Sequence, residues 1–319
     1  MKSRLRTSML GVQVVAYFWP LLWALPKVAS GSLTSTTAAS SLQFTVTTSK
    51  ADLVLYEPVV LRLELQNPLG RPVTTDAQYL SLGGDTQVYV VDPNGVKHLL
   101  RTGVQLTFVN RAFELGPKEK VEGTFYLLRN DAERSLAFPA PGTYRIGGTM
   151  IVARGEVPTV LKAREVEVRV EAPAESDRCV IEKMGSPEAV TNLFVNTSRI
   201  YCEGKPTGEC IEHLRSIIDE CSTSAYAPFV EYDLAVSLGD GLLKVPQAED
   251  LAIDNLEHLL KRWPRHALRG WVFTHLAILY DKNGNPAKSE RYKSLLEKEF
   301  PGMKDSIRAV RKNRESSEQ

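Results

Sequence analysis

The sequence predicts a two-domain protein, all-β and then all-α: an antiparallel β-sandwich over 42–171, followed by helical repeats over 179–311. Three observations predict it. Apolar and polar residues alternate through the first stretch, as on half-buried strands. Turn residues punctuate that stretch at short intervals. Beyond it, apolar residues recur at helical spacing, and an offset of 42 residues brings two segments into register. A chain of 319 residues suits about two domains.

At the N-terminus, Lys2, Arg4 and Arg6 precede the apolar run "MLGVQVVAYFWPLLWALP" (9–26), and "VAS" at Val28–Ser30 offers small residues for cleavage. Segment 1–30 therefore reads as a signal peptide. The alternative is an uncleaved membrane anchor, but the run falls short of the roughly 20 residues that span a bilayer and Pro20 interrupts it. Residues 31–41 form a flexible Ser/Thr-rich leader with little apolar content. The expected location is periplasmic or extracellular, with the membrane reached only through an uncleaved signal.

Of the 39 Lys and Arg, four lie in the first 30 residues, which hold no acid; the remainder carries 35 against 38 Asp and Glu, a net charge of −3. Nucleic acid is not an expected partner, because its phosphates require a concentrated basic surface.

The strands come in order as "LQFTVTT" (42–48), "VVLRLEL" (59–65), "TQVYVV" (86–91), "VEGTFYLL" (121–128), "TYRIGGTMIVA" (143–153) and "REVEVRV" (164–170). "NPLG" (67–70), "DPNG" (92–95), "LGPKEK" (115–120) and "PAPG" (139–142) separate them. In "DPNG", Pro presets φ and Asn-Gly accepts positive φ. Gly pairs in "SLGGD" (81–85) and "RIGGT" (145–149) read as bulges or edge kinks. Tyr144 follows a Pro-Gly turn and opens a late strand, the position of a tyrosine corner, where the hydroxyl bonds nearby backbone.

Three segments, "YEPVVLRLELQNPLGRPV", "LGPKEKVEGTFYLL" and "FPAPGTYRI", resemble in order the motifs of bacterial immunoglobulin-like domains of the macroglobulin type or the BsuPI proteinase-inhibitor type. The resemblance covers 42–171 and implies an immunoglobulin-like sandwich. It carries over no functional residue, and the macroglobulin thioester motif Cys-Gly-Glu-Gln is absent.

Pro173 and small residues mark a linker at 172–178. Beyond it, "IEHLRSIIDECS" (211–222) aligns with "IDNLEHLLKRWP" (253–264), so that Ile211, Leu214, Ile217 and Ile218 meet Ile253, Leu256, Leu259 and Leu260. The register continues as Phe229 meets Trp271 and Ala235 meets Ala277, and "LLEKEFP" (295–301) echoes "LLKRWP" (259–264). Leu276, Ala277, Tyr280, Gly284 and Pro301 stand in the order of a tetratricopeptide repeat, which this segment resembles. Ser289 and a displaced aromatic at Tyr292 depart from that pattern. The resemblance implies a scaffold that takes up a peptide or protein.

All four cysteines, Cys179, Cys202, Cys210 and Cys221, fall in the first part of the helical region, and an even number in an exported chain predicts disulfides. Cys210 and Cys221 are eleven residues apart on one predicted helix, roughly 16 Å at 1.5 Å per residue. That exceeds the reach of a disulfide. Of the two remaining connectivities, the nested one suits an antiparallel helix pair turned at 203–209: Cys202 with Cys210, and Cys179 with Cys221. The spacings lack the paired knuckles of a zinc site, and no C-x-x-C is present.

His98, His213, His258, His266 and His275 form no H-E-x-x-H and read as surface histidines; no nucleophile elbow, P-loop or dinucleotide fingerprint appears. "NTS" (196–198) is a glycosylation sequon, and 312–319 reads as a disordered tail. The sequence thus predicts no cofactor, no metal and no catalytic residue, and a non-catalytic protein-binding or scaffolding role in the cell envelope. Two alternatives remain: a hydrolase inhibitor acting through the sandwich, and a hydrolase with a polar pocket at the domain junction.

Overall fold

Leu61, Leu63 and Leu65 alternate with Arg62, Glu64 and Gln66, and the three leucines are fully buried. That alternation sets one face of a strand against a core, and each such side chain contributes about 1.5–3 kcal/mol by leaving water. The same pattern repeats through the first half of the chain. The computed structural model describes residues 41–75, 85–100, 113–130, 135–153, 158–187, 189–191, 206–303 and 307. The signal and leader segments, most of "SLGGD", Cys202, the sequon and the tail lie outside them.

In chain order the described strands are β1 (Gln43–Thr48), β2 (Asp52–Val54), β3 (Val59–Gln66), β4 (Val73–Thr75), β5 (Thr86–Val91), β6 (Lys97–Leu100), β7 (Phe113–Leu115), β8 (Lys120–Leu127), β9 (Arg129–Asn130), β10 (Ser135–Leu136), β11 (Gly142–Ala153), β12 (Thr159–Lys162) and β13 (Val166–Glu171). A three-stranded antiparallel sheet runs β1-β3-β8. A larger sheet runs β2-β13-β11-β5-β6, with β12 also paired to β11. Between them lies one core holding Phe44, Val46, Leu61, Leu63, Leu65, Val88, Ile146, Met150 and Val168. In β11, Gly147 and Gly148 keep regular register with Tyr89 and Val88. They are not kinks: a Cβ at Gly147 would stand 2.5 Å from the Tyr89 hydroxyl, so glycine admits the ring.

The α-helices with described bounds are α1 (Glu175–Met184), α2 (Thr207–Glu220), α3 (Ala227–Gly239), α4 (Ala248–Arg262), α5 (Arg269–Lys282) and α6 (Pro286–Glu299). α1 begins inside 172–178, the segment read as a linker. α2 and α4 bury one face each, whereas α3 and α5 are buried nearly all round. Side chains such as Phe229, Val230, Leu234 and Ala235 explain this, since a helix apolar on every side must sit between neighbours. A 3-10 turn at Pro301–Met303 follows α6.

The expected arrangement, an all-β immunoglobulin-like sandwich followed by a separate all-α tetratricopeptide-like domain, is corrected by two findings. First, the larger sheet is mixed: β2 pairs in parallel with β13, Leu53 opposite Val170. Second, the helices share a core with the strands. Val54, Tyr56 and Tyr126 pack into the helical core, and Tyr126 lies 5.9 Å from the Trp271 ring. The fold is mixed α/β, layered as larger sheet, smaller sheet and helices. The cause is the outer face of β8, where Tyr126 is apolar enough to require cover.

Gly302 shows how close that cover is. A Cβ there would come within 2.9 Å of Thr124 Oγ1 and 3.2 Å of the Gly123 carbonyl carbon.

Candidate binding cleft

The residues singled out from sequence fall into three groups. Cys179 on α1 is joined to Cys221 at the end of α2, with Cα atoms 5.7 Å apart. Cys210 is disulfide-bonded as well, and Cys202, its expected partner, lies outside the described residues. Tyr144 is buried, donates from its hydroxyl to the Ala140 carbonyl at 2.7 Å, and meets Phe138 edge-on at 5.1 Å. Leu276, Ala277 and Tyr280 are buried on α5, and the Ala277 carbonyl accepts from the Ser289 hydroxyl at 2.8 Å. Gly284 takes φ +68° in the turn before α6, and Pro301 opens the 3-10 turn. These three groups are well-packed framework.

Two histidines depart from the expected surface reading. His275 is buried on α5 against Tyr232, because that helix has no solvent face. His266 is half-buried, its Nδ1 accepting from the Leu268 N–H at 3.1 Å. Of the others, His213 Nε2 lies 3.1 Å from the Lys183 carbonyl, and His258 Nδ1 lies 2.6 Å from the buried carboxylate of Glu231.

His266 borders a cleft of approximately 1210 Å³ where the smaller sheet meets the helices. β8 carries the helical cover, while outward side chains farther along β1 and β3, Thr47 and Arg62, are exposed. Register places Thr47 opposite Arg62, and both line the cleft. Val60 and the β1–β2 connection, Ser49 and Lys50, continue this wall. Pro228 and Phe229 of α3, residues 263–267 of the α4–α5 connection and Phe300 after α6 form the opposite wall.

Phe229, Val60 and Glu57 are buried in the cleft, Trp263 and Phe300 are half-buried, and Lys50, Arg62 and Arg265 are exposed. Glu57 pairs with Lys50 at 2.6 Å and also accepts the Val54 N–H at 3.1 Å. Burial raises its pKa, with Lys50 opposing that effect. Arg269 forms a two-pronged pair with Glu299, at 2.8 and 3.2 Å. Arg262 lies over the Trp263 ring at 4.7 Å, while Arg62 and Arg265 point to solvent. His266 is held neutral: burial, then the nearby Arg269, lowers its pKa to about 3. Its Nε2 is buried without a hydrogen-bond partner among the described residues. Such a group is a weak base near neutral pH, far from the pKa that favours proton transfer.

The sequence reading did not single out this site. Its visible signal is "RWPRHALR" (262–269), three arginines interleaved with Trp and His between two helices. The other wall comes from a strand far away in the chain, and no local motif announces it. Among the described residues, no cluster of His, Cys, Asp and Glu has the arrangement to hold a metal ion, and no helix is long and apolar enough to cross a membrane.

No family model and no curated protein matches the chain. Among solved structures, it is similar to an alkylpurine DNA glycosylase of Pseudomonas fluorescens bound to DNA containing an abasic site analogue. Identity there is 15% and the TM-score 0.26, over 44% of this chain and 33% of that one. It is also similar to a beta-glucosidase from Listeria innocua in complex with glucose, at 20% identity and a TM-score of 0.23, over 40% and 16% of the two chains. The chain spans a third or less of these structures. Likeness at such scores carries no argument about fold or activity.

Proposed function

We propose that this chain is an exported, non-catalytic binding protein that holds a segment of another protein in the cleft between its smaller sheet and its helices. The observation that carries the reading is the composition of that cleft. Phe229, Trp263 and Phe300 supply aromatic surface, and paired and unpaired charges share the lining with them. Protein recognition favours this layout, because buried aromatic anchors supply most of the binding energy and a polar rim fixes orientation. The position of the cleft supports the reading too. β1 and β3 on one wall and α3 on the other are packed secondary structure, which lowers the ordering required on binding. The charged and apolar export-type segment at 1–30 supports a periplasmic or extracellular location.

The test is a pull-down from envelope and secreted fractions, with the oxidised wild-type chain and Trp263→Ser as parallel baits. The expected result is a partner retained by wild type and lost by the variant, both having the same circular dichroism. A partner held equally by both baits overturns the cleft as the site. Capture of nothing by wild type overturns the binding role.

A further inference from the structure

Charge pairing inside the cleft narrows what it takes. Five Lys and Arg side chains line it, with two carboxylates. Both carboxylates are already spoken for, Glu57 by Lys50 and Glu299 by Arg269. Subtracting those two pairs leaves Arg62, Arg262 and Arg265, which form no salt bridge among the described residues, although the charge of Arg262 also acts on the buried Glu231 carboxylate outside the lining. They come from both walls, Arg62 from the sheet and the other two from the helical side. The net charge of the lining is thus about three positive while the exported chain as a whole is negative.

We propose that the segment held in the cleft is acidic: an extended peptide whose carboxylates meet Arg62, Arg262 and Arg265 while an apolar or aromatic side chain packs on the aromatic lining. This rests on the binding reading above and specifies its ligand. Arg262 is the best prepared of the three. Its guanidinium carbon lies 4.7 Å from the centre of the Trp263 ring, a contact that limits how far the group can swing, and a guanidinium is suited to two-pronged carboxylate recognition. Arg62 and Arg265 are exposed, so they add attraction and orientation more than depth. A peptide suits the site better than nucleic acid, because three separated cations do not make the continuous basic track that a phosphate backbone needs.

The experiment is fluorescence anisotropy of the oxidised full chain with fluorescein-labelled decapeptides. One set places Glu residues on both sides of a Leu-Phe pair; matched sets carry Gln or Lys in place of Glu. Binding of the Glu set alone is expected. Arg265→Gln should weaken it about threefold, as for an exposed ion pair. The Arg62→Gln/Arg265→Gln double variant should weaken it about tenfold, if the separated sites add.

Equal binding of the Gln or Lys sets overturns the acidic preference and leaves the binding reading intact. Tighter binding of a single-stranded oligonucleotide than of the Glu set overturns the choice of a peptide. Binding by no peptide overturns the proposal. The pull-down with Trp263→Ser then decides whether the binding reading falls with it.

Discussion

The hydroxyl of Tyr226 donates to the carbonyl of Leu55, tying the start of α3 to the turn after β2. Tyr226 is fully buried, and burial, with the nearby charges of Asp177 and Glu57, raises its pKa. Around it, Asp177 caps the chain at Ala174 and accepts from both the Ser224 hydroxyl and the Ala225 N–H. Helices and strands therefore meet through buried polar groups as well as through apolar contact.

Tyr226→Phe should destabilise the whole fold rather than the helices alone. The ring still fits, but the Leu55 carbonyl loses its donor in a place where water does not replace it. The expected loss is about 1–3 kcal/mol. Urea unfolding read by circular dichroism at helical and strand wavelengths should move together. Two separate transitions would show that the halves do not unfold as a unit.

Gly302→Ala tests the same junction from its other end. The added methyl would press on Thr124 and on β8 backbone, which has little room to move. Overpacking of this kind costs about 1–3 kcal/mol. Trp271 should report it, since its ring stands beside Tyr126 at this contact. Gly208→Ala is the control: nothing lies within 4 Å of a Cβ there, and the position is on α2. Alanine should be neutral or stabilising at that site.

How much the sequence could show follows from the range of each signal. Alternation in 59–65 and the helical offset linking Ile211 to Ile253 are local patterns, and the strands and helices they mark are present. β2 is three residues long, too short for alternation to reveal it, so its parallel pairing with β13 was not visible. Tyr126 shares with Thr124 and Glu122 a strand face that reads as solvent-facing; only the packed helices show that it is covered. The cleft was harder still. Arg62 and Arg265 belong to separate halves of the chain, and the fold alone brings them to one opening. Cys179 and Cys221 lay within reach of sequence reasoning because helix geometry excludes a bond between Cys210 and Cys221, and an antiparallel helix pair suits the nested one of the two connectivities left.

Removing the Cys179–Cys221 bond by a double Ser substitution should loosen the attachment of α1 to α2. The bond closes a loop across a sequence separation of 42. Loops of this size give a disulfide about 2–4 kcal/mol of stabilisation. The variant should unfold at lower urea than the wild type, and the wild type under reductant at a concentration no higher than the variant, because reduction opens the Cys210 bond too. Peptide mapping without reduction should recover the peptides containing Cys179 and Cys221 as one species. Recovery of any other partner for Cys179 would refute the pairing.

His266 should make the fold acid-sensitive. Its pKa is near 6.5 when unfolded and is lowered to about 3 in the folded chain, first by burial and then by Arg269. Above the unfolded value both states hold a neutral ring, and the residue imposes no pH dependence. As pH falls below about 6.5, the unfolded chain takes up a proton that the folded chain refuses, so stability falls until the folded ring titrates. Protonation at Nδ1 would also break the hydrogen bond from the Leu268 N–H. Glu57 and Glu231 work in the opposite direction, because burial raises their pKa values and the folded chain binds their protons more readily. The clean measure is therefore a difference. His266→Asn keeps an acceptor for the Leu268 N–H and removes the titration, so the variant should lose less stability than wild type between pH 6.5 and pH 4. NMR should show the His266 ring with no titration between pH 5 and pH 8. A His266 midpoint near 6.5 would place the ring in water and remove the basis for the acid sensitivity.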